Sequence, residues 1–194
     1  MAVQVMLIRH AESLWNASGR WQGHGDPELS PTGSVQARAL ADTLRHPRPD
    51  LLVASDLLRA RQTALELARV WGLEARLDAR LRELDIGSWT GLGREEIAAR
   101  DPDGLARFDA GDPDLRVGGR ESRNAIRQRA RSFVEELAAA HSGARIALVT
   151  HLGFVRALIP DAEPANAEVV ELRAGELLRL RPMAAVDSAP AGPL

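Results

Sequence analysis

Arg9 and His10 stand side by side where an apolar run, residues 3–8, stops. His151 stands where another, residues 145–150, stops, and Ser55, Asp56 and Arg59 follow a third, residues 51–54. Guanidinium groups hold phosphate oxygens through paired, charge-assisted hydrogen bonds. A neutral imidazole among them is a competent nucleophile toward phosphorus. Fixed cations stabilise the charge spread over the oxygens of a transferring phosphoryl group. Two Arg and two His in one place would suit phosphoryl transfer. The chain has no Cys, no HExxH and no calcium-loop pattern, so the expected chemistry uses no metal and no cofactor.

Such a site needs its residues on one rim, and the surrounding elements supply it. Residues 3–8, 51–54 and 145–150 are short, apolar and partly β-branched, the pattern of buried strands. Ser30 before Pro31 marks a helix that carries Val35, Ala39, Leu40 and Leu44 on one face and ends near His46-Pro47. Ser55-Asp56 starts another, with Leu57, Ala60, Ala64, Leu67, Ala68 and Trp71 at helical spacing and Gly72 as its stop. A short strand fits within 73–82. Residues 87–119, rich in Gly, Asp and Pro, predict short helical pieces in an excursion over one end of the sheet. A long helix follows from about Glu121 to Ala140, burying Ile126, Ala130, Phe133, Val134 and Leu137. The next helix begins at His151 or just beyond it. Residues 169–172 and 177–180 read as a closing hairpin around Ala174-Gly175, and 183–194 as a loose tail.

Strands alternating with helices give an α/β class: a three-layer α/β/α sandwich around a mostly parallel mixed sheet, as one domain over residues 1–182. Ligands of such sheets bind at the carboxyl ends of the strands. Arg9, His10, Arg59 and His151 then share one rim, where helix N-termini add N–H donors.

Composition narrows the class. A formal net charge of -2 over 194 residues gives no electrostatic case for a nucleic-acid partner. No apolar run is long enough to span a bilayer, and no signal peptide is visible. The expected setting is cytoplasmic. All 25 basic residues are Arg, the bias of a GC-rich, bacterial genome. An isolated Arg therefore carries little weight, and only its setting does. Oligomeric state is not legible.

Four stretches carry a resemblance: "IRHAESLWN", "SDLLRARQTA", "LRELDIGSWTGL" and "VTHLGFVRAL". They resemble, in order, the motif blocks of the histidine phosphatase superfamily, the phosphoglycerate mutase-like family. "GRWQGHGDPELSPTG" is similar to its phosphatase branch. The resemblance implies that His10 is the nucleophile and becomes phosphohistidine. It implies that Arg9, Arg59 and His151 bind the phosphoryl group and that Asn16 donates to it. Glu83 would protonate the leaving oxygen and then activate water. Ser13, Gln22 and Gly23 would line the entrance to a small phosphorylated substrate. One position departs: the family usually has Gly after the His, and this chain has Ala11. A backbone needing φ > 0 there would cost Ala about 1–2 kcal/mol. If Gly only gives room, the methyl is a mild intrusion.

The implied activity is metal-independent phosphomonoester hydrolysis. A phosphoglycerate mutase would use the same residues and return the phosphoryl group to its substrate, but the chain has no Tyr and a short excursion where mutases carry a longer one. A phospho-ligand binding module that has lost turnover would be expected to lack one of His10, Glu83 and His151. Other histidines read as ordinary: His46 and His141 end helices, and His24 lies in a polar loop that could touch substrate. Glu95 and Glu96 are the alternatives to Glu83, on an expected helical piece.

Overall fold

The computed structural model describes residues 3–173. Its elements run β1 (Gln4–Arg9), α1 (Leu14–Ala17), α2 (Pro31–Thr43), β2 (Leu51–Ala54), α3 (Leu58–Trp71), β3 (Ala75–Leu77), α4 (Arg94–Arg100), α5 (Pro102–Asp109), α6 (Arg123–Ala140), β4 (Arg145–Thr150), α7 (Leu152–Leu158) and β5 (Val169–Arg173). The strands form one sheet in the order β3-β2-β4-β1-β5. All neighbours are parallel except β5, which runs antiparallel to β1. The expected hairpin strand 177–180, its turn and the tail 183–194 lie outside the described residues.

Alternation along the strands builds two core layers. Val5, Leu7, Val53, Ile146 and Leu148 face one side, against α6 and α7 residues such as Phe133, Val134, Phe154 and Val155. Met6, Ile8, Leu52, Ala54, Ala147 and Val149 face the other, against Ala60, Ala64, Leu67 and Trp71 of α3. Both faces are covered, so the central strands read as unbroken apolar runs. The excursion adds Trp89, Ile97, Leu105, Leu115 and Val117 to the first layer.

Two local expectations are corrected. The buried face of α2 is Gly33, Ala37 and Ala41, while Val35 and Ala39 are exposed and Leu40 and Leu44 lie at its margin. Small residues at i, i+4 and i+8 let this helix approach its neighbours closely. At Gly33 the carbonyl of Glu12 sits where a side chain would begin: a Cβ there would lie 1.9 Å from it. The second correction is the start of α3, which is Leu58 and not Ser55-Asp56. Ser55 Oγ accepts from Leu57 N–H at 3.3 Å, just ahead of the helix, and both predicted cap residues also have partners elsewhere. The Ser55 hydroxyl lies 2.8 Å from His151 Nε2, and both Asp56 oxygens accept from Arg82. The α3 terminus is met instead by Asp26, whose Oδ1 accepts from Leu58 N–H.

Glu12 belongs to the loop that follows His10, so Gly33 supports that loop. Gly33→Ala should destabilise the fold by about 1–3 kcal/mol, the usual cost of overpacking, whereas Val35→Ala should stay within about 0.5 kcal/mol. Urea denaturation of both variants checks this.

Candidate active site

His10 follows the last residue of β1 and is buried. Its backbone N–H donates to the Thr150 carbonyl, which continues the ladder to β4 and holds the residue beside His151. The two rings lie 5.0 Å apart between centroids, at 57°. Arg59 Nε donates to His10 Nε2 at 3.3 Å. A guanidinium cannot accept, so Nε2 carries the lone pair. The proton is then on Nδ1, which donates to the Ala11 carbonyl at 2.7 Å. Burial first, then the charge of Arg59 and of Arg9, pushes His10 well below the usual imidazole range, against the Ala11 bond. The ring is neutral at pH 7, with its lone-pair nitrogen turned toward the cation.

Arg59, on the first turn of α3, is wholly buried. Nη1 donates to the Gly25 carbonyl at 2.7 Å and Nη2 to the Gly23 carbonyl at 3.0 Å. Burial lowers its pKa to about 10, opposed by Glu83 and Asp26, so it remains a cation. Arg9, half-buried, donates from Nη1 to the Pro164 carbonyl at 2.9 Å. Its Nε is buried with no partner. Its own pKa is lowered, by burial first.

His151 caps α7, directly after β4. Nε2 lies 2.8 Å from the Ser55 hydroxyl, and Nδ1 is buried with no partner. Burial, Arg59 and His10 depress its pKa strongly, with smaller contributions from His24 and Arg129. The partnerless Arg9 Nε and His151 Nδ1 each leave a polar atom unsatisfied, at a cost of about 1–3 kcal/mol.

Glu83 faces the N-terminus of α7. Its Oε1 accepts from Leu84 N–H at 2.8 Å and its Oε2 from Gly153 N–H at 3.2 Å. Each oxygen keeps a free lone pair. A Cβ at Gly153 would lie 2.1 Å from Glu83 Oε1, so a side chain there would push the carboxylate out of this position. Glu95 and Glu96 sit on α4, where Glu96 caps Gly93 N–H and Arg20 lies beside it.

The remaining expected residues cluster behind His10. Ser13 caps α1 through a reciprocal pair with Asn16: Asn16 N–H donates to Ser13 Oγ, and Ser13 N–H to Asn16 Oδ1, both at 3.1 Å. The Ser13 hydroxyl donates to Gln22 Oε1 at 2.8 Å. Gly23 enters through its carbonyl on Arg59. Ala11 does not occupy the left-handed region, where among the described residues Ala167 is the one non-glycine. Its methyl packs with Leu29 and Ala37.

Some contributors carried no signal in the sequence. Thr63 Oγ1 accepts from Ala11 N–H at 3.0 Å and donates to the Arg59 carbonyl at 2.8 Å, tying nucleophile loop to cation. Asn166, in the loop after α7, donates to the His10 carbonyl at 3.0 Å. Arg129 reaches from α6 to the carbonyls of Arg80, Arg82 and Glu83. Thr63 lies one turn beyond Arg59 and could have been suspected, but Asn166 and Arg129 sit where polar residues are ordinary.

A family model described as the histidine phosphatase superfamily (branch 1) matches residues 5–181. The chain belongs to this superfamily. Phosphoserine phosphatase 1 of Hydrogenobacter thermophilus is 36% identical over 156 residues, covering 80% of this chain and 74% of that one. Glucosyl-3-phosphoglycerate phosphatase of Mycobacterium tuberculosis is 38% identical over 165 residues, 81% and 74% of the two chains. A solved structure of mycobacterial glucosyl-3-phosphoglycerate phosphatase complexed with VO3 superposes with a TM-score of 0.80 at 34% identity, covering 87% of this chain and 92% of that one. The five-stranded mixed sheet with helices matches that α/β fold.

His10 and His151 are neutral in the fold and take up protons when the chain unfolds below about pH 6.5. The unfolded state then binds more protons, so stability is full above that pH and falls as pH drops through it. The loss should reach about 1.4 kcal/mol per pH unit for each histidine. Denaturant titrations between pH 7 and 5 test this, and His151→Asn should roughly halve the slope.

Proposed function

We propose that this phosphomonoesterase works through a phosphohistidine on His10 and needs no metal ion. One observation carries the reading: a buried, neutral imidazole whose lone pair sits on Nε2, 3.3 Å from a buried guanidinium. The named relatives are phosphatases, and they support hydrolysis over the mutase reading. Their names specify phosphoserine and glucosyl-3-phosphoglycerate, which are phosphate esters of three-carbon acids. A small phosphorylated substrate is therefore our expectation. The Arg-for-Lys composition supports a bacterial source, and the cytoplasm is our proposed setting.

In the first step His10 Nε2 forms a bond to phosphorus as the ester P–O bond breaks, and the electron pair leaves on oxygen. Arg9 and Arg59 offset the charge on the phosphoryl oxygens, and the neutral His151 donates a hydrogen bond to one of them. Arg59 must give up its bond to Nε2 as the phosphoryl group enters, and its Nε–H is then available to an oxygen. Asn16 has its carbonyl oxygen engaged and its amino group left to donate. Glu83 hands a proton to the leaving oxygen. In the second step Glu83, now a carboxylate, takes a proton from water as that water attacks phosphorus. The N–P bond breaks, releasing phosphate and restoring the lone pair.

Mixing with substrate and quenching without acid should trap an acid-labile, alkali-stable phosphate on His10. Label on His151, or a fully active His10→Ala protein, would overturn the assignment. Excess chelator should leave the rate unchanged, and loss restored by one divalent ion would count against the metal-independent reading.

Glu83 has its own test. An alkoxide cannot leave unprotonated, whereas a nitrophenolate can. In single-turnover phosphorylation, Glu83→Gln should lose about 10²–10⁴-fold on an alkyl phosphate. The loss on p-nitrophenyl phosphate should be clearly smaller. Equal losses would make Glu83 a positioning group.

A further inference from the structure

Phosphoryl transfer at His10 asks His151 to donate a hydrogen bond, and a neutral imidazole has one proton to give. Which ring nitrogen holds that proton is set by the partner of the other. Ser55 is that partner. It follows the last residue of β2, and its backbone N–H donates to the Val149 carbonyl at 2.9 Å. The parallel register pairs Ala54 with Val149. Two adjacent strands thus deliver the Ser55 hydroxyl and the His151 ring side by side, 2.8 Å apart between Oγ and Nε2. Both residues are wholly buried.

Proton accounting then fixes the tautomer. A hydroxyl has one proton and two lone pairs. Ser55 Oγ accepts from Leu57 N–H at 3.3 Å, and among the described residues its one other partner is His151 Nε2. If Nε2 carried the ring proton, Oγ would accept twice and its own proton would have no acceptor. His151 Nδ1 would be a bare lone pair, also buried and without a partner. Two buried groups would go unsatisfied, which folded chains avoid. With the ring proton on Nδ1, the Ser55 O–H donates to Nε2 and the hydroxyl is complete. One buried atom is then left open, the Nδ1–H. The two histidines share a tautomer and present opposite edges. His10 spends its Nδ1–H on the Ala11 carbonyl and offers the Nε2 lone pair. His151 spends its Nε2 lone pair on Ser55 and offers the Nδ1–H.

We propose that Ser55 is a positioning residue whose O–H bond to Nε2 holds the His151 proton on Nδ1, so that this imidazole meets a phosphoryl oxygen as a donor. The oxygen that Nδ1–H meets rests on the phosphatase reading above; the tautomer stands on the hydrogen bonds. Without the hydroxyl, the ring is free to turn a lone pair on Nδ1 toward the phosphoryl oxygens and repel them. Ser55 acts through His151 and not on the substrate.

Proton–nitrogen NMR correlation of the imidazoles in isotope-labelled protein at neutral pH reads the tautomer directly, with His151→Asn to assign the signals. The unaltered protein should show His151 protonated on Nδ1 and bare on Nε2. The reverse pattern would overturn the proposal, and no variant has to fold for that result. Ser55→Ala should let the Nε2-protonated form appear. It should lower kcat/KM on p-nitrophenyl phosphate by about two- to tenfold, the worth of one neutral hydrogen bond. Ser55→Thr keeps the hydroxyl and should restore the single tautomer and most of the rate. Ser55→Ala with the Nδ1-protonated form still alone would overturn the proposal at any rate of turnover, because a merely structural role does not move the ring proton. Failure of the unaltered protein to hydrolyse p-nitrophenyl phosphate or any alkyl ester would instead sink the phosphatase reading, and the ring-proton measurement would decide the role of Ser55 on its own.

Discussion

The hydrogen bond from Arg59 to His10 Nε2 is the contact on which the site depends. A guanidinium can only donate, so it forces the lone pair onto Nε2 and the proton onto Nδ1. That single constraint sets the tautomer, the ring orientation and the neutral charge state together. It also places a buried cation against a buried imidazole, which is tolerable only while the imidazole stays neutral. The surroundings are arranged to keep it so. Arg9 adds positive charge from the preceding residue, and burial disfavours protonation of both His10 and His151.

A wholly buried Arg59 must have its N–H groups satisfied, and no paired carboxylate does so. The chain uses backbone carbonyls. Gly23 and Gly25 take the two terminal nitrogens from a loop held against Ile86 and Trp15. Thr63 links the Arg59 carbonyl to the residue after His10. Asp26 sits close enough to support the charge, yet its carboxylate is directed to the start of α3. The cation therefore keeps its charge and its hydrogen bonds without a carboxylate held against it.

The sheet and its rim were legible in the sequence because burial on both faces imposes one pattern: short apolar runs that end in Arg9-His10, Ser55 and His151. The helix faces were less legible. In α2 the residues that matter are small, and Gly33, Ala37 and Ala41 look unremarkable beside Val35 and Leu44 until the close approach of Glu12 is known. The start of α3 was misread for a related reason. Ser55-Asp56 has good capping chemistry, but tertiary partners had a stronger claim on both side chains. Asn166 and Arg129 were invisible because their roles depend on loops folding back from distant sequence, over 150 residues in the case of Asn166 and His10.

The strand-end cluster and the loops beside it differ in rigidity, and the reason is mechanical. Phosphoryl transfer needs donors positioned to a fraction of an ångström. Here they sit at the ends of parallel strands whose neighbours are buried on both faces, with His10 N–H itself bonded into the ladder. The cavity lined by His24, Asp85, Arg116, Arg120, Glu121 and Ser122 is walled mostly by loops, and its two arginines are exposed. Loops accept substitution and insertion without disturbing a core. Arg129 and His24 both cross between the two regions: His24 donates to the Glu83 carbonyl, and Arg129 grips the backbone from Arg80 to Glu83 and also pairs with Glu121 in the cavity wall. That grip keeps Glu83 aligned with the rigid rim while the loops beyond it remain open to change.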